Sequence, residues 1–281
     1  LGQVDAAYPL SAPLQAAPAP LGNRFLLPIA GKLELSTSPG QSPVEAYGLP
    51  SDQANRLQWR QVLSVDNQNA VAITRSGQVL QVRLQTNPRT HLAEVTRIDL
   101  QAPVEFQADV RDGRVAVADG QQQVRVLDAL TLDAAGRRTM EMPVTNDVWL
   151  AGDALIVETG AAQCHCLDLT GELPSRWAQP LALDGAAIAG RPLRVGENLL
   201  IPQVDGRVRL VSAQTGEVKA ELATGCRLSG APLDACPKAR PDPAARTSEI
   251  AAVTAMTRLC MTDPRCRADT RHRTDGRGIM Q

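Results

Sequence analysis

Gly22-Asn23-Arg24-Phe25-Leu26-Leu27-Pro28 and Gly196-Glu197-Asn198-Leu199-Leu200-Ile201-Pro202 are two copies of one pattern. Each continues into a glycine, a basic residue and alternating side chains: Gly31-Lys32-Leu33-Glu34-Leu35 and Gly206-Arg207-Val208-Arg209-Leu210. Alternation with period two marks strands that bury one face, and the turn-prone residues between the halves make each copy a hairpin. Weaker copies lie between them: Ala70 to Thr74 then Gly77 to Val82, Arg114 to Ala118 then Gln123 to Leu127, and Ala154 to Val157 then Gln163 to Leu167. The strand centres Leu26, Ala72, Ala116, Ile156 and Leu200 are separated by 46, 44, 40 and 44 residues.

Turns such as Arg75-Ser76-Gly77-Gln78, Asp119-Gly120 and Asp205-Gly206 join the two strands, since Asp, Asn and Gly tolerate positive φ. A Pro-containing apolar stretch precedes the hairpin (Ala12-Pro13-Leu14, Pro103-Val104-Glu105-Phe106, Arg191-Pro192-Leu193), and another stretch, Gly216 to Leu222 in the last copy, follows it. Four short strands every forty-odd residues predict an all-β fold, a β-propeller of four-stranded blades with about five blades present. The ring is incomplete if the pattern ends there. One such sheet is too small to offset its ordering entropy, so stability must come from sheets stacked on one another.

The repeat occupies residues 1–233. Ser229-Gly230-Ala231-Pro232-Leu233 looks like the opening of a sixth unit, but the next centre would fall near Ala244, in Arg240-Pro241-Asp242-Pro243-Ala244, which no central strand could use. Residues 234–281 form an Arg/Pro-rich tail with a candidate short helix at 247–261. Two readings stand: a foreign or frame-shifted end on a truncated propeller, or a natural irregular tail. The chain begins with Leu1, so an address could have been removed, and Leu1 to Leu21 lacks the basic and apolar regions of a secretory signal.

Composition excludes several function classes. A net charge of -1 over 281 residues gives no field for nucleic acid, and 2% aromatic residues leave few stacking platforms. No apolar run approaches the length of a membrane-spanning helix. Arg265, Arg267, Arg271, Arg273 and Arg277 read as a solvated run of the tail. The Asp-Gly pairs at 112, 119, 184 and 205 read as hairpin turns rather than calcium ligands. His91 and His272 have polar surroundings and no recognisable nucleophile partner.

Cys164 and Cys166 flank His165, and strand alternation puts both sulfurs on one face with the imidazole opposite. Their spacing fits no zinc pattern, and nor do Cys226 with Cys236 or Cys260 with Cys266, so Cys164 and Cys166 read as small core hydrophobes. Catalytic residues: none; metal ligands: none; cofactor: none, with any cofactor-binding residues unknown.

The repeats resemble the pyrroloquinoline-quinone-type propeller family, in which a blade ends in Ala-x-Asp-x-x-Thr-Gly followed after three residues by a docking Trp. Here Leu210-Val211-Ser212-Ala213-Gln214-Thr215-Gly216 keeps the Thr and Gly but has Ala220 at the Trp position. Cys166-Leu167-Asp168-Leu169-Thr170-Gly171 is one residue short with Trp177 displaced by two, and the third copy keeps Asp128 and Thr131. The resemblance covers Leu10 to Leu233 and implies a docking belt that is largely missing, so that aliphatic residues carry the packing. The family divides into quinone-dependent dehydrogenases, with a vicinal disulfide, a calcium and an aromatic floor, and non-catalytic propellers that include an outer-membrane-assembly lipoprotein. With no adjacent cysteine pair, the chain leans to the second group: not an enzyme, but a scaffold binding protein partners through propeller loops or faces. It would be periplasmic or in the cell envelope if it follows the family. The alternative is a fragment of a quinone-dependent dehydrogenase. Unfilled blade faces would also favour self-association.

Overall fold

A computed structural model describes residues 10, 12–36, 44–48, 58–160 and 162–228. The expected tail, with its candidate helix and Cys236, Cys260, Cys266 and His272, lies outside the described residues. Among the described residues, twenty strands form five four-stranded antiparallel sheets, each a meander in chain order. The first holds β1 (Ala19–Leu21), β2 (Arg24–Ile29), β3 (Lys32–Leu35) and β4 (Tyr47–Gly48). The second holds β5 (Trp59–Ser64), β6 (Asn69–Thr74), β7 (Gln78–Gln85) and β8 (His91–Asp99). The third holds β9 (Asp109–Arg111), β10 (Arg114–Ala118), β11 (Gln123–Asp128) and β12 (Ala134–Thr139). The fourth holds β13 (Val144–Ala151), β14 (Ala154–Thr159), β15 (Gln163–Asp168) and β16 (Leu181–Ala182), and the fifth β17 (Leu193–Val195), β18 (Asn198–Pro202), β19 (Arg207–Ser212) and β20 (Val218–Ala223). Two compact units divide the chain, Leu1–Gly185 with the first four sheets and Ala186–Gln281 with the fifth.

The register sharpens the repeat. The matching cross-strand pairs are Leu26 with Leu35, Val71 with Gln81, Ala116 with Val126, Ile156 with Cys166 and Leu200 with Leu210. The second centre is therefore Val71 and not Ala72, and a one-residue shift reverses which face a side chain occupies. A bulge also recurs at one repeat position. Opposite the steps Gln81/Val82, Val126/Leu127 and Leu210/Val211, the outer strand carries one extra residue, Val95, Ala135 and Lys219 respectively.

Three of the expected first strands begin later than the sequence indicated. Ala12–Leu14 and Pro103–Phe106 precede β1 and β9, while Arg191–Leu193 overlaps β17 only at Leu193. Lacking an N–H, proline is poorly placed in a ladder but its carbonyl can accept a bond in a connection. Pro103 does this, accepting from the Gly120 amide at 2.8 Å.

In the first unit, successive sheets pack the leading face of one on the trailing face of the following one, with a layer of buried side chains between. Leu26, Leu33 and Leu35 meet Ala70, Ala72, Leu80 and Val82. Val71, Ile73 and Val79 meet Val115, Val117 and Leu127. Ala116, Ala118, Val124 and Val126 meet Leu155, Val157 and Leu167. β6 is buried along its whole length because both faces are covered, and β14 is buried along its whole length too. The pairing of alanines on one face with leucines on the other is the size complementarity that close packing requires.

Polar bonds align the sheets within this unit. The Gln61 side chain receives the Ala108 amide at 2.8 Å and donates to the Ala108 carbonyl at 3.1 Å, and Asp109 receives the Leu150 amide at 2.9 Å. The expectation that aliphatic residues alone carry the packing is corrected by the tryptophans, all three of which are buried. Trp59 lies in the first layer and its indole N–H donates to the Ile29 and Lys32 carbonyls at 2.9 and 3.2 Å. An aromatic ring with one donor suits such a joint, where an apolar body fills the layer and its edge satisfies a hairpin.

Candidate interaction surface

The residues singled out for chemistry have structural partners. Cys164 and Cys166 project from the leading face of the fourth sheet, at the repeat positions held by Val79 and Gln81 in the second and by Val124 and Val126 in the third. Both are fully buried, and burial pushes the Cys164 thiol well above its ordinary pKa, so it stays protonated and poorly nucleophilic. His165 points from the opposite face, with Nε2 at 2.9 Å from the Thr159 hydroxyl. Burial, and secondarily the charge of Arg138, lowers its pKa below the usual value.

The Asp-Gly pairs divide three to one. Asp112-Gly113 forms the β9–β10 turn with both residues at positive φ, 48° and 72°. Asp119 caps the β10–β11 turn by accepting the Gln121 and Gln123 amides at 2.9 and 3.0 Å, and Asp205 caps the β18–β19 turn through the Arg207 amide at 3.1 Å. Asp184-Gly185, expected to be a hairpin, instead follows β16 outside any hairpin. The Asp-x-x-Thr element has a clear physical role. Asp128 Oδ1 accepts the Leu130 and Thr131 amides at 2.8 and 2.9 Å, while Ser212 Oγ accepts the Thr215 amide at 3.2 Å in the fifth sheet. The Thr131 and Leu130 amides hold the Asp128 carboxyl below the usual carboxylate range.

The connections between sheets of the first unit are pinned by backbone hydrogen bonds. After β8, the Leu100 amide bonds the Gly77 carbonyl of its own sheet at 2.9 Å, and Pro103 then receives Gly120 of the next sheet. After β12, the Met140 amide bonds the Gln122 carbonyl at 2.9 Å and Pro143 receives the Gly160 amide at 2.8 Å. A side chain at Gly77 would place its Cβ 2.0 Å from the Ala102 carbonyl oxygen, so the absence of one lets the connection lie against the turn. On these pinned backbones, Pro103, Glu105, Glu141, Met142 and Pro143 face solvent, with Met142 45% exposed. In the sequence this surface is marked only by a Pro-containing stretch, Pro103 to Phe106, whose composition matches that of a strand.

An open cleft of about 530 Å³ lies beside β8, β11 and β12, with Arg125 and Arg137 set among Asp99, Asp133 and Glu172. Its mixed charges select no single ligand class. Among the described residues no group of three or more His, Cys, Asp or Glu side chains is placed to hold a metal ion, and no helix is long and apolar enough to cross a membrane.

No protein-family model matches the chain, and no curated protein matches it in sequence. Solved structures do. The computationally designed Ika8 protein is 13% identical with a TM-score of 0.59, over 79% of this chain and 65% of its own. A KlHsv2 variant with loop 6CD replaced by a Gly-Ser linker is 11% identical with a TM-score of 0.53, over 72% of this chain and 64% of its own. BamB from Moraxella catarrhalis is 18% identical with a TM-score of 0.47, over 58% of this chain and 47% of its own. This chain thus spans about half to just under two thirds of the solved chains it matches. At such identities the likeness shows the fold alone: the chain is an all-β protein built of four-stranded β-propeller blades.

Proposed function

We propose that this chain is a non-catalytic propeller of the pyrroloquinoline-quinone-type repeat that binds protein partners through the connections between its blades. The observation that carries the reading is the set Pro103, Glu105, Glu141, Met142 and Pro143, exposed on backbone tied to turns of two sheets. A preformed surface loses little conformational entropy on binding, and methionine adapts its shape to varied apolar partners. Glu141 beside Met142 favours a partner with a basic group next to an apolar contact. Further support comes from the capped Asp128 and Ser212 turns, which give the family's motif a structural role, and from the placement of Cys164 and Cys166 as core residues.

Two measurements test this. Titration with pyrroloquinoline quinone and calcium should give no saturable absorbance change, and a stoichiometric bound chromophore would overturn the non-catalytic reading. A photo-crosslinking residue at position 142 should capture a discrete partner in cells, whereas the same residue at Leu130, which is also exposed, should not. Capture at 130 but not at 142 would move the binding surface to the other turns.

A further inference from the structure

The Asp-Gly steps share one latent reaction, and the fold treats them differently. The amide nitrogen of the residue that follows an aspartate can attack the aspartate's own side-chain carboxyl. Glycine favours the attack because it has no side chain to obstruct its nitrogen. Three local conditions are needed: an attacking N–H that no hydrogen bond holds, a carboxyl free to rotate onto it, and room around the nitrogen for a five-membered ring.

Two of the hairpin turns fail these conditions. Asp119 is buried, its carboxyl accepts the Gln121 and Gln123 amides, and the Gly120 amide donates to the Pro103 carbonyl at 2.8 Å. Asp205 is held by the amide and the guanidinium of Arg207, and the Gly206 amide donates to the Gln203 carbonyl at 3.0 Å. A Cβ on Gly206 would lie 2.1 Å from the Cys226 carbonyl oxygen, so the glycine has no free space around it. Asp184-Gly185, outside any hairpin, has room at its glycine, but Asp184 is engaged by other groups.

Asp112-Gly113 is the opposite case. Arg111 pairs with Arg114 across a two-residue turn whose central residues both have positive φ, a geometry in which the ladder bonds belong to the flanking residues. Among the described residues, none forms a hydrogen bond or ion pair with the Asp112 carboxyl or a hydrogen bond with the Gly113 amide. Both residues are exposed, and a Cβ built on Gly113 meets nothing within 4 Å.

We infer that Asp112-Gly113 is a site of spontaneous isoaspartate formation, while the Asp119 and Asp205 turns are protected by their folded surroundings. The Gly113 nitrogen gives up its proton and bonds to Asp112 Cγ as the carboxyl loses its hydroxyl, the two leaving as one water and closing a succinimide ring. A water then adds to a ring carbonyl. Breaking the new Cγ–N bond restores Asp112, whereas breaking the original C–N bond leaves the main chain running through the side-chain carbons. One water is released and one consumed, and nothing is oxidised or reduced. The product lengthens the turn at the end of β9, the strand whose Asp109 holds the Leu150 amide of the fourth sheet. The inference is independent of the partner-binding surface described above.

The test ages the full chain at neutral pH and body temperature, folded and in guanidinium chloride, and digests it with an endoprotease that cleaves before aspartate but not before isoaspartate. Conversion at position 112, 119 or 205 leaves the uncut peptide 109–118, 112–127 or 184–233, each identified by mass spectrometry. In the folded chain peptide 109–118 should accumulate at least about tenfold faster than the other two, a factor equivalent to about 1.4 kcal/mol of local opening at the protected turns. In guanidinium chloride the three rates should converge, because the dipeptide is the same and the fold is gone. Three results overturn the inference: no accumulation of 109–118 in the folded chain, accumulation of 112–127 or 184–233 at an equal rate there, or the same ranking persisting after unfolding, which would assign the difference to neighbouring sequence.

Discussion

The second strands of the first two sheets place different residues at one repeat position and give them opposite environments. Ala70 and Ala72 on β6 are completely buried, while Phe25 on β2, at the place of Ala70, is more than half exposed. Hydrophobicity would rank these the other way. What decides burial is the neighbour: Ala70 and Ala72 on the second sheet are covered by Leu26, Leu33 and Leu35, which leave room there only for alanine, whereas Phe25 keeps more than half of its surface in solvent. In a repeat protein the interface between units, as much as the unit, determines the energetic value of a residue.

The strongest way to break the comparison is to remove Trp59, the ring filling the first layer. Trp59→Ala should cost about 3–5 kcal/mol in a urea unfolding series, through lost burial and the cavity left behind. An exchange of residues between equivalent positions should then be asymmetric. Ala70→Phe, which forces the first sheet's residue into a covered layer, should cost about 1–3 kcal/mol from overpacking. In dilute monomer Phe25→Ala should change stability by less than about 0.5 kcal/mol, as expected of exposed positions. Equal costs for the two substitutions would show that both faces are covered.

A smaller effect sharpens the comparison at the middle of the third strand, where the trailing faces of the fourth and first sheets hold His165 and Glu34. Burial holds His165 below its ordinary pKa near 6.5. The unfolded chain therefore takes up this proton first as pH falls. The stabilisation from neutral His165 is complete above about pH 6.5 and declines below it until the folded imidazole itself is protonated. Between pH 7.5 and pH 5 the melting temperature of the wild type should fall further than that of His165→Gln, and parallel curves would mean the ring is solvated.

At the other extreme of pH, Tyr47 offers the smallest readout. Burial first, and then the hydrogen bond to Glu94, raises its pKa to about 12. In a Tyr8→Phe chain the remaining phenol should ionise near that value by ultraviolet titration, with its stabilisation lost as pH rises past the ordinary range near 10. Ionisation at the ordinary value would place Tyr47 outside the first layer.

Much of the architecture was legible from alternation and turn chemistry. The predicted hairpins at Gly77, Gly120 and Gly206 match the turns between second and third strands, because glycine and capping aspartate mark places where the backbone needs special conformations. The sulfur positions of Cys164 and Cys166 followed from strand periodicity as well. The inner strands were harder to place. They are short, and the proline-bearing segments beside them have similar hydrophobicity, yet bond to turns of neighbouring sheets through contacts remote in sequence. For the same reason the connection surface around Met142 had no local signature.

Periodicity alone determined that this chain makes small antiparallel sheets of one repeating design, because which face a strand buries is set residue by residue along the backbone. Tertiary structure decided which faces are covered, the role of Trp59 as a joint and the exposure of Phe25. Those outcomes depend on what a distant segment places across a layer, and side chains of the same hydrophobic class are buried or solvated according to that neighbour.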